Sequence, residues 1–159
     1  MNNTENKELM TVNKSDLASA DMMKLFTDVN DNFYCSMKDD GTRKSKVKIY
    51  NAINNTEKSL NDMIGKRLDI IDVVAYPVEL VDDETGEIVK TVRTVLIDKK
   101  GTGYSAVSAG VTNSLNKIFG IIGTPENGAW HDEPVAMEVK QIKTRNGQNK
   151  VNTLWLIEE

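Results

Sequence analysis

Between residues 98 and 110 the chain reads DKKGTGYSAVSAG. The spacing of Gly101, Gly103 and Ala106 fits the permissive form of a dinucleotide-binding turn, in which glycines let backbone amides approach a pyrophosphate, and Lys99 and Lys100 stand just before it. A second chemistry is suggested by three locally basic stretches: RKSKVK at 43–48, Arg93 with Lys99 and Lys100, and KQIKTRNGQNK at 140–150. Cations spaced along a groove neutralise phosphates, and aromatic rings among them offer faces on which bases stack. Catalytic and metal chemistry find less support. The single histidine, His131 in GAWHDEP, has no second histidine or thiol at ligand spacing and reads as a loop residue. A serine or cysteine nucleophile would depend on that one histidine, and no nucleophile-elbow signature accompanies it. Asp82, Asp83 and Glu84 sit at a hairpin tip, where a solvated turn accounts for them better than a bound cation. Cys35 alone cannot form an intrachain disulfide, and its setting in NFYCSMK suits a small buried apolar side chain. No catalytic residue, metal or cofactor is expected, and the chain reads as a binding protein rather than an enzyme.

With 159 residues the chain can bury one core. A composition of 39% hydrophobic and 28% charged residues is that of a soluble globular protein. No segment approaches the roughly 18 consecutive apolar residues of a membrane span, so no membrane partner is expected. The amino terminus has neither a basic start nor an apolar signal core, which makes the cytoplasm the expected location. The net charge of −4 hides its distribution: acidic residues gather in the first 32 positions and at 82–87, away from the basic stretches.

The elements that must position these residues follow from periodicity. Residues 1–30 read as a polar tail with one amphipathic helix at 17–29, and residues 31–159 as one domain. NFYCSMK and KVKIYNAI alternate around Asp39, Asp40, Gly41 and Thr42 and predict a hairpin. NNTEKSLNDMIG predicts a short helix with Thr56 as its cap and Gly65 as its stop. RLDIIDVVAYPVEL predicts a strand with Leu68, Ile70, Val74, Tyr76, Val78 and Leu80 on one face. EIVKTVRTVLID predicts its antiparallel neighbour, and Pro77 marks an edge or a bulge. A helix carrying Val107, Val111, Leu115, Ile118 and Phe119 is expected to be capped by Ser105 and to end at Gly120. Asn146 and Gly147 predict a two-residue turn in a final hairpin.

This order, with a helix between the third and fourth strands, is that of a five-stranded Greek-key barrel of the OB type preceded by a hairpin-and-helix extension. An open α+β sheet shares most of its elements. The same order argues against the dinucleotide reading, because the glycines follow a hairpin instead of the first strand of a βαβ unit.

Residues 66–157 resemble the carboxy-terminal part of the single-stranded DNA-binding proteins of bacteriophages and related mobile elements. The resemblance is carried by Tyr104, Ser105, Phe119, Gly120, Trp130, Pro134, Lys143, Arg145, Gly147 and Lys150. It implies an OB fold and sequence-independent single-strand binding during replication or recombination in a bacterial host, with replication or recombination proteins as further partners and a homo-oligomer left open. Residues 1–60 match no pattern. Phosphate contacts are expected from Lys90, Arg93, Lys99, Lys100, Lys140, Lys143, Arg145 and Lys150. Stacking is expected from Tyr104 and from Trp130, the aromatic whose neighbours most suggest exposure, with Tyr50 next. Trp155 is balanced between core packing and stacking. The alternative is a phage structural or assembly protein that uses a sheet edge for protein contacts.

Overall fold

The computed structural model describes residues 11–12, 34–56, 58–144, 147 and 149–158. In chain order the strands are β1 (Thr11–Val12), β2 (Tyr34–Cys35), β3 (Lys58–Ser59), β4 (Arg67–Asp82), β5 (Ile88–Asp98), β6 (Gly103–Ala106), β7 (Val135–Lys143) and β8 (Lys150–Leu156). The helices are α1 (Arg43–Ile53), α2 (Ala109–Ile121) and α3 (Ala129–Asp132). The chain is mainly β. Its strands form a curled sheet in the order β3-β6-β5-β4-β7-β8, with β1 and β2 also on β4. β4 and β5, rich in Val, Ile and Thr, form the predicted antiparallel pair, from Ile70 opposite Asp98 to Val81 opposite Ile88. β4 also pairs β7 through its first residues, Arg67 to Ile70. Pro77 pairs with Val92, and the opposite side of β4 there lies between the β2 pairing at Ala75 and the β1 pairing at Val81. No described strand competes for its missing N–H.

β4 departs from simple alternation at one point. The register slips between Ile70 and Asp72, a bulge that reverses which parity of residue faces which side. Leu68 and Ile70 therefore share the inner core with Val73 and Ala75, together with Leu96, Leu115, Met137 and Val139. Val74 faces a second cluster with Val95, Ile97 and Ala52, and Tyr76 packs against it. The single apolar face expected of Leu68, Ile70, Val74 and Tyr76 is thus divided between two cores.

Three predicted elements take another form. The segment expected as a second hairpin strand is helix α1, because Ile49, Ala52 and Ile53 recur at helical spacing while the preceding DDGT supplies a cap. The Thr42 Oγ1 accepts from the Ser45 amide at 3.2 Å, and Asp40 Oδ1 accepts from both the amide and the hydroxyl of Thr42. Residues 60–63 form a 3-10 turn capped by Ser59 instead of Thr56, and Gly65 follows with a left-handed φ of 81°. Helix α2 is capped by Ser108, not Ser105, which lies in β6. It runs through Gly120, and Gly123, at φ 105°, donates to the Phe119 carbonyl. The helix predicted at 17–29 lies outside the described residues, as does most of the expected tail. Thr11–Val12, within that tail, forms a parallel strand against Val81 and Asp82.

Helix α2 lies along the outer edge of β8. Ser114 Oγ accepts from the Leu154 amide at 3.0 Å, and Ser108 Oγ donates to the Asn152 carbonyl at 3.4 Å. Side chains of the helix thus take backbone groups that an edge strand would otherwise offer to another chain. The approach requires Gly110, where an added Cβ would stand 2.2 Å from the Asn152 carbonyl oxygen. We predict that Gly110→Ala destabilises the protein by about 1–3 kcal/mol or more, since backbone must move. Gly120→Ala, in the same helix with nothing within 4 Å of the added carbon, is predicted to stabilise by about 0.5–1 kcal/mol. Urea denaturation of the two variants reads both signs.

The cap of α1 also carries a pH dependence. Hydrogen bonds from Thr42 hold the Asp40 carboxyl down to about 2, below the roughly 3.9 of an unfolded aspartate. A folded value below the unfolded one gives stability that is full above about pH 4 and is lost as pH falls through about 2. We predict that Asp40→Asn melts lower than the parent near ~pH 6 and that the gap closes on acidification through this window; a gap constant down to ~pH 2 would contradict the cap.

Candidate nucleic-acid interface

The stretch DKKGTGYSAVSAG forms the turn between β5 and β6. Gly101, with φ 88°, closes it, and the Asp98 carboxylate accepts from the amides of Lys100 and Thr102 at 2.9 Å each. The amides that a phosphate cradle would present are already taken by an anion of the chain itself, between antiparallel strands. The turn serves instead to present Lys99 and Lys100 to solvent. Lys99 Nζ lies 3.6 Å from Asp69 Oδ2, and Arg67 Nε lies 3.0 Å from Asp69 Oδ1. Asp69 thereby collects two cations on the outer face of the sheet, Arg67 from its own strand and Lys99 from the β5–β6 turn.

The outer face continues across β7 and β8. Arg67 stands opposite Glu138 and Glu138 opposite Trp155, so the three form one cross-strand row. Lys140 and Thr153 are paired on the same face two residues on. Trp155 is 53% exposed. The Lys140 Nζ lies 4.2 Å from its ring centroid, and its Nε1 donates to Thr153 Oγ1 at 3.2 Å. Leu154 points to the inner core, so Trp155 must point away from it. This settles the balance left open in the sequence in favour of exposure.

The expected stacking residues lie elsewhere. Trp130 is 3% exposed, not exposed as its neighbours suggested: α3 turns it into the inner core, where its ring meets Phe119 edge-on at 5.9 Å. Tyr104 is likewise buried in that core, with its hydroxyl donating to Asp98 Oδ2 at 3.2 Å. Burial and the Asp98 carboxylate raise its phenol. Tyr50, on α1, is 67% exposed, as expected of it.

Lys90 and Arg93 both lie on β5, but three residues apart they face opposite sides, Lys90 opposite Glu79 and Arg93 opposite Tyr76. Lys143 and Lys150 face each other directly as the last pair of the β7–β8 hairpin. Beyond them Thr144 donates to Asn149, and Gly147, at φ 72°, donates to Thr144. The loop is therefore longer than a two-residue turn centred on Asn146 and Gly147. Arg145, like Asn146, lies outside the described residues. The outer face of the middle strands is covered by α1: Ala52 and Ile53 pack in one cluster with Val95 and Ile97. The basic stretch 43–48 thus lies on the outer surface of a helix, with Arg43, Lys44, Lys46 and Lys48 exposed.

Sequence reasoning missed one cluster. Asp72, 3% exposed, is aimed outward by the bulge in β4. It accepts from Ser36 Oγ at 2.6 Å and meets His131 Nε2 at 2.8 Å. Ser36 Oγ also accepts from the Val73 amide at 3.0 Å. His131 is thus no free loop residue: it ties α3 to β4. The aspartate's place in a strand of apolar residues was the available signal, since a carboxylate there needs partners. Nearby, burial pushes the Cys35 thiol up to about 11, in keeping with a packing role. Among the described residues no group of three or more His, Cys, Asp or Glu is placed to hold a metal, and no helix is long and apolar enough to cross a membrane.

A family model described as Phage Single-stranded DNA-binding protein matches residues 27–156. The chain belongs to this family. The match reaches back to residue 27, through the stretch that the sequence resemblance left unplaced. The single-stranded DNA-binding protein of Bacillus phage GA-1 is 28% identical over 109 residues, which span 67% of this chain and 63% of that protein. No solved structure matches.

We predict that Trp130→Ala destabilises the protein by about 3–5 kcal/mol, as for other large aromatics removed from a core. Trp155→Ala is predicted to leave stability within about ±0.5 kcal/mol of the parent. Equal effects in paired thermal melts would contradict the assignment of inner and outer faces.

Proposed function

We propose that the protein binds single-stranded DNA without sequence preference, in the replication or recombination of a phage or mobile element, and that it acts in the host cytoplasm as a binding protein. The observation that carries this reading is the family match across residues 27–156. The strand pattern supports an OB-type barrel built from β4 to β8, with α2 between β6 and β7, as the working unit within residues 31–159. The ligand would lie along the outer face. Trp155 offers a base an exposed ring, Lys140 beside it exchanges the ring for a phosphate, and Lys99, Lys100 and Arg67 continue the track, while Lys143 and Lys150, with the parity of Val139 and Leu154, flank the hairpin tip from the other side. Arg93, with the parity of Val95, lies on this side of β5, whereas Lys90, with the parity of Val92, faces the other side; Arg145 stays a proposed phosphate contact. Tyr50 and the cations of α1 extend it over the helix that replaces the open middle strands. Tyr104 and Trp130 shape this face from within instead of stacking. Replication or recombination proteins and a second copy of the chain are the further partners this role would take. The assembly-protein alternative is less favoured, because α2 already occupies the β8 edge.

Fluorescence titration with oligo-dT, with unlabelled duplex as competitor, tests the reading. Affinity is predicted to fall with salt at a logarithmic slope of about −0.7 per phosphate neutralised. Trp155→Ala is predicted to cost about 1–3 kcal/mol of binding. A flat salt response, or equal competition by duplex, would refute it.

A further inference from the structure

Four segments distant in sequence converge on an open cavity of about 340 Å³. Lys38 comes from the segment after β2, Lys48 from α1, Asp72 from the bulge of β4, and Asn127 with His131 from the turn into α3. Their charges are unequally satisfied. Asp72 at the base has both carboxylate oxygens engaged, Oδ1 by Ser36 and Oδ2 by His131. Lys38 and Lys48 are exposed, and among the described residues neither makes an ion pair. Two carboxylates next in sequence to Lys38 have partners of their own: Asp39 pairs with Lys46 at 2.9 Å, and Asp40 accepts from Thr42 and is weakly attracted to Lys38. The cavity therefore presents two ammonium groups and an imidazole at its rim, above a carboxylate whose two oxygens are already hydrogen-bonded by Ser36 and His131.

Two exposed lysines that line one cavity and form no ion pair among the described residues leave donors that an anion entering the cavity can take. The volume exceeds what a bare phosphate needs and is at the lower end of small-ligand sites, which suits one nucleotide. Met37 adds an adaptable apolar wall and Asn127 an amide that donates and accepts. The bulge places Asp72 on the same outer side of β4 as Arg67 and Asp69, so the cavity adjoins the face described above.

We infer that this cavity is a phosphate subsite for one nucleotide of a bound single strand, with Lys38 and Lys48 taking the charge of the phosphate and His131, fixed by Asp72, closing the third side. The inference rests on the single-strand reading. Its test is a titration of the full chain with oligo-dT, with and without a 5′-phosphate, over a range of salt, for the parent, for Lys38→Gln with Lys48→Gln, and for Lys117→Gln as an exposed control on α2. The double variant is expected to bind several-fold more weakly, with a salt slope shallower by about 0.7, one phosphate contact. The control is expected to match the parent. A loss confined to the 5′-phosphorylated oligomer assigns the subsite to a terminal phosphate, and an equal loss for both assigns it to an internal phosphodiester. Parent binding with unchanged affinity and slope in the double variant overturns the subsite alone. A parent that binds no oligo-dT removes the single-strand reading, and the subsite with it.

Discussion

The bulge between Ile70 and Asp72 is the constraint on which the rest of this structure depends. A strand as long as β4 with uninterrupted alternation would present one apolar face and one polar face throughout. The extra residue inverts the phase near the start of the strand, so the first residues of β4 and its later part both contribute to the inner core with residues of opposite parity. The inversion has two further effects. Val74 and Tyr76 become available on the outer side, where α1 packs over them to make a second core. Asp72, which unbroken alternation would have driven inward, emerges where Ser36 and His131 satisfy it. Removing either partner would leave a buried carboxylate short of hydrogen bonds, a costly state in a low-dielectric setting.

The sheet accommodates both shape and charge on its outer side. Of the carboxylates there, Asp69 lies between Arg67 and Lys99 and Glu138 stands opposite Arg67, while Asp98 is turned back into its own hairpin. The same economy explains the aromatics. Trp130, Phe119 and Tyr34 form a packed inner group, with Tyr34 donating to Glu126 at 3.0 Å and its phenol raised by burial, whereas Trp155 and Tyr50 stay in solvent. Aromatic side chains with no inner neighbour and cations beside them are the surface features that a stacked, charged polymer can use.

Exposed sheet edges invite association, and here the longest terminal edge is closed from within. The close passage of α2 over β8, permitted by the missing side chain at Gly110, lets two serines substitute for a neighbouring strand. The sheet curls without requiring another copy of the chain to complete it at that edge.

The sequence by itself determined the long β4–β5 pair, the helix that follows β6, the final β7–β8 hairpin and the family resemblance. These rest on local periodicity and turn chemistry, which neighbouring residues decide among themselves. It also placed Lys99, Lys100, Lys143 and Lys150 correctly at turns and strand ends. Tertiary structure decided the rest. The segment 43–53 satisfies both a strand alternation and a helical face, and only the capping aspartates and the apolar patch on β4 and β5 selected the helix. The neighbours of Trp130 suggested exposure and those of Trp155 left it balanced; the first was drawn inward by a helical turn and the second held outward by pairing register, neither of which is local information. The cavity beside Asp72 was illegible for the same reason: its lysines, carboxylate and imidazole come from four separate segments, and a single inserted residue in one strand determines that they meet.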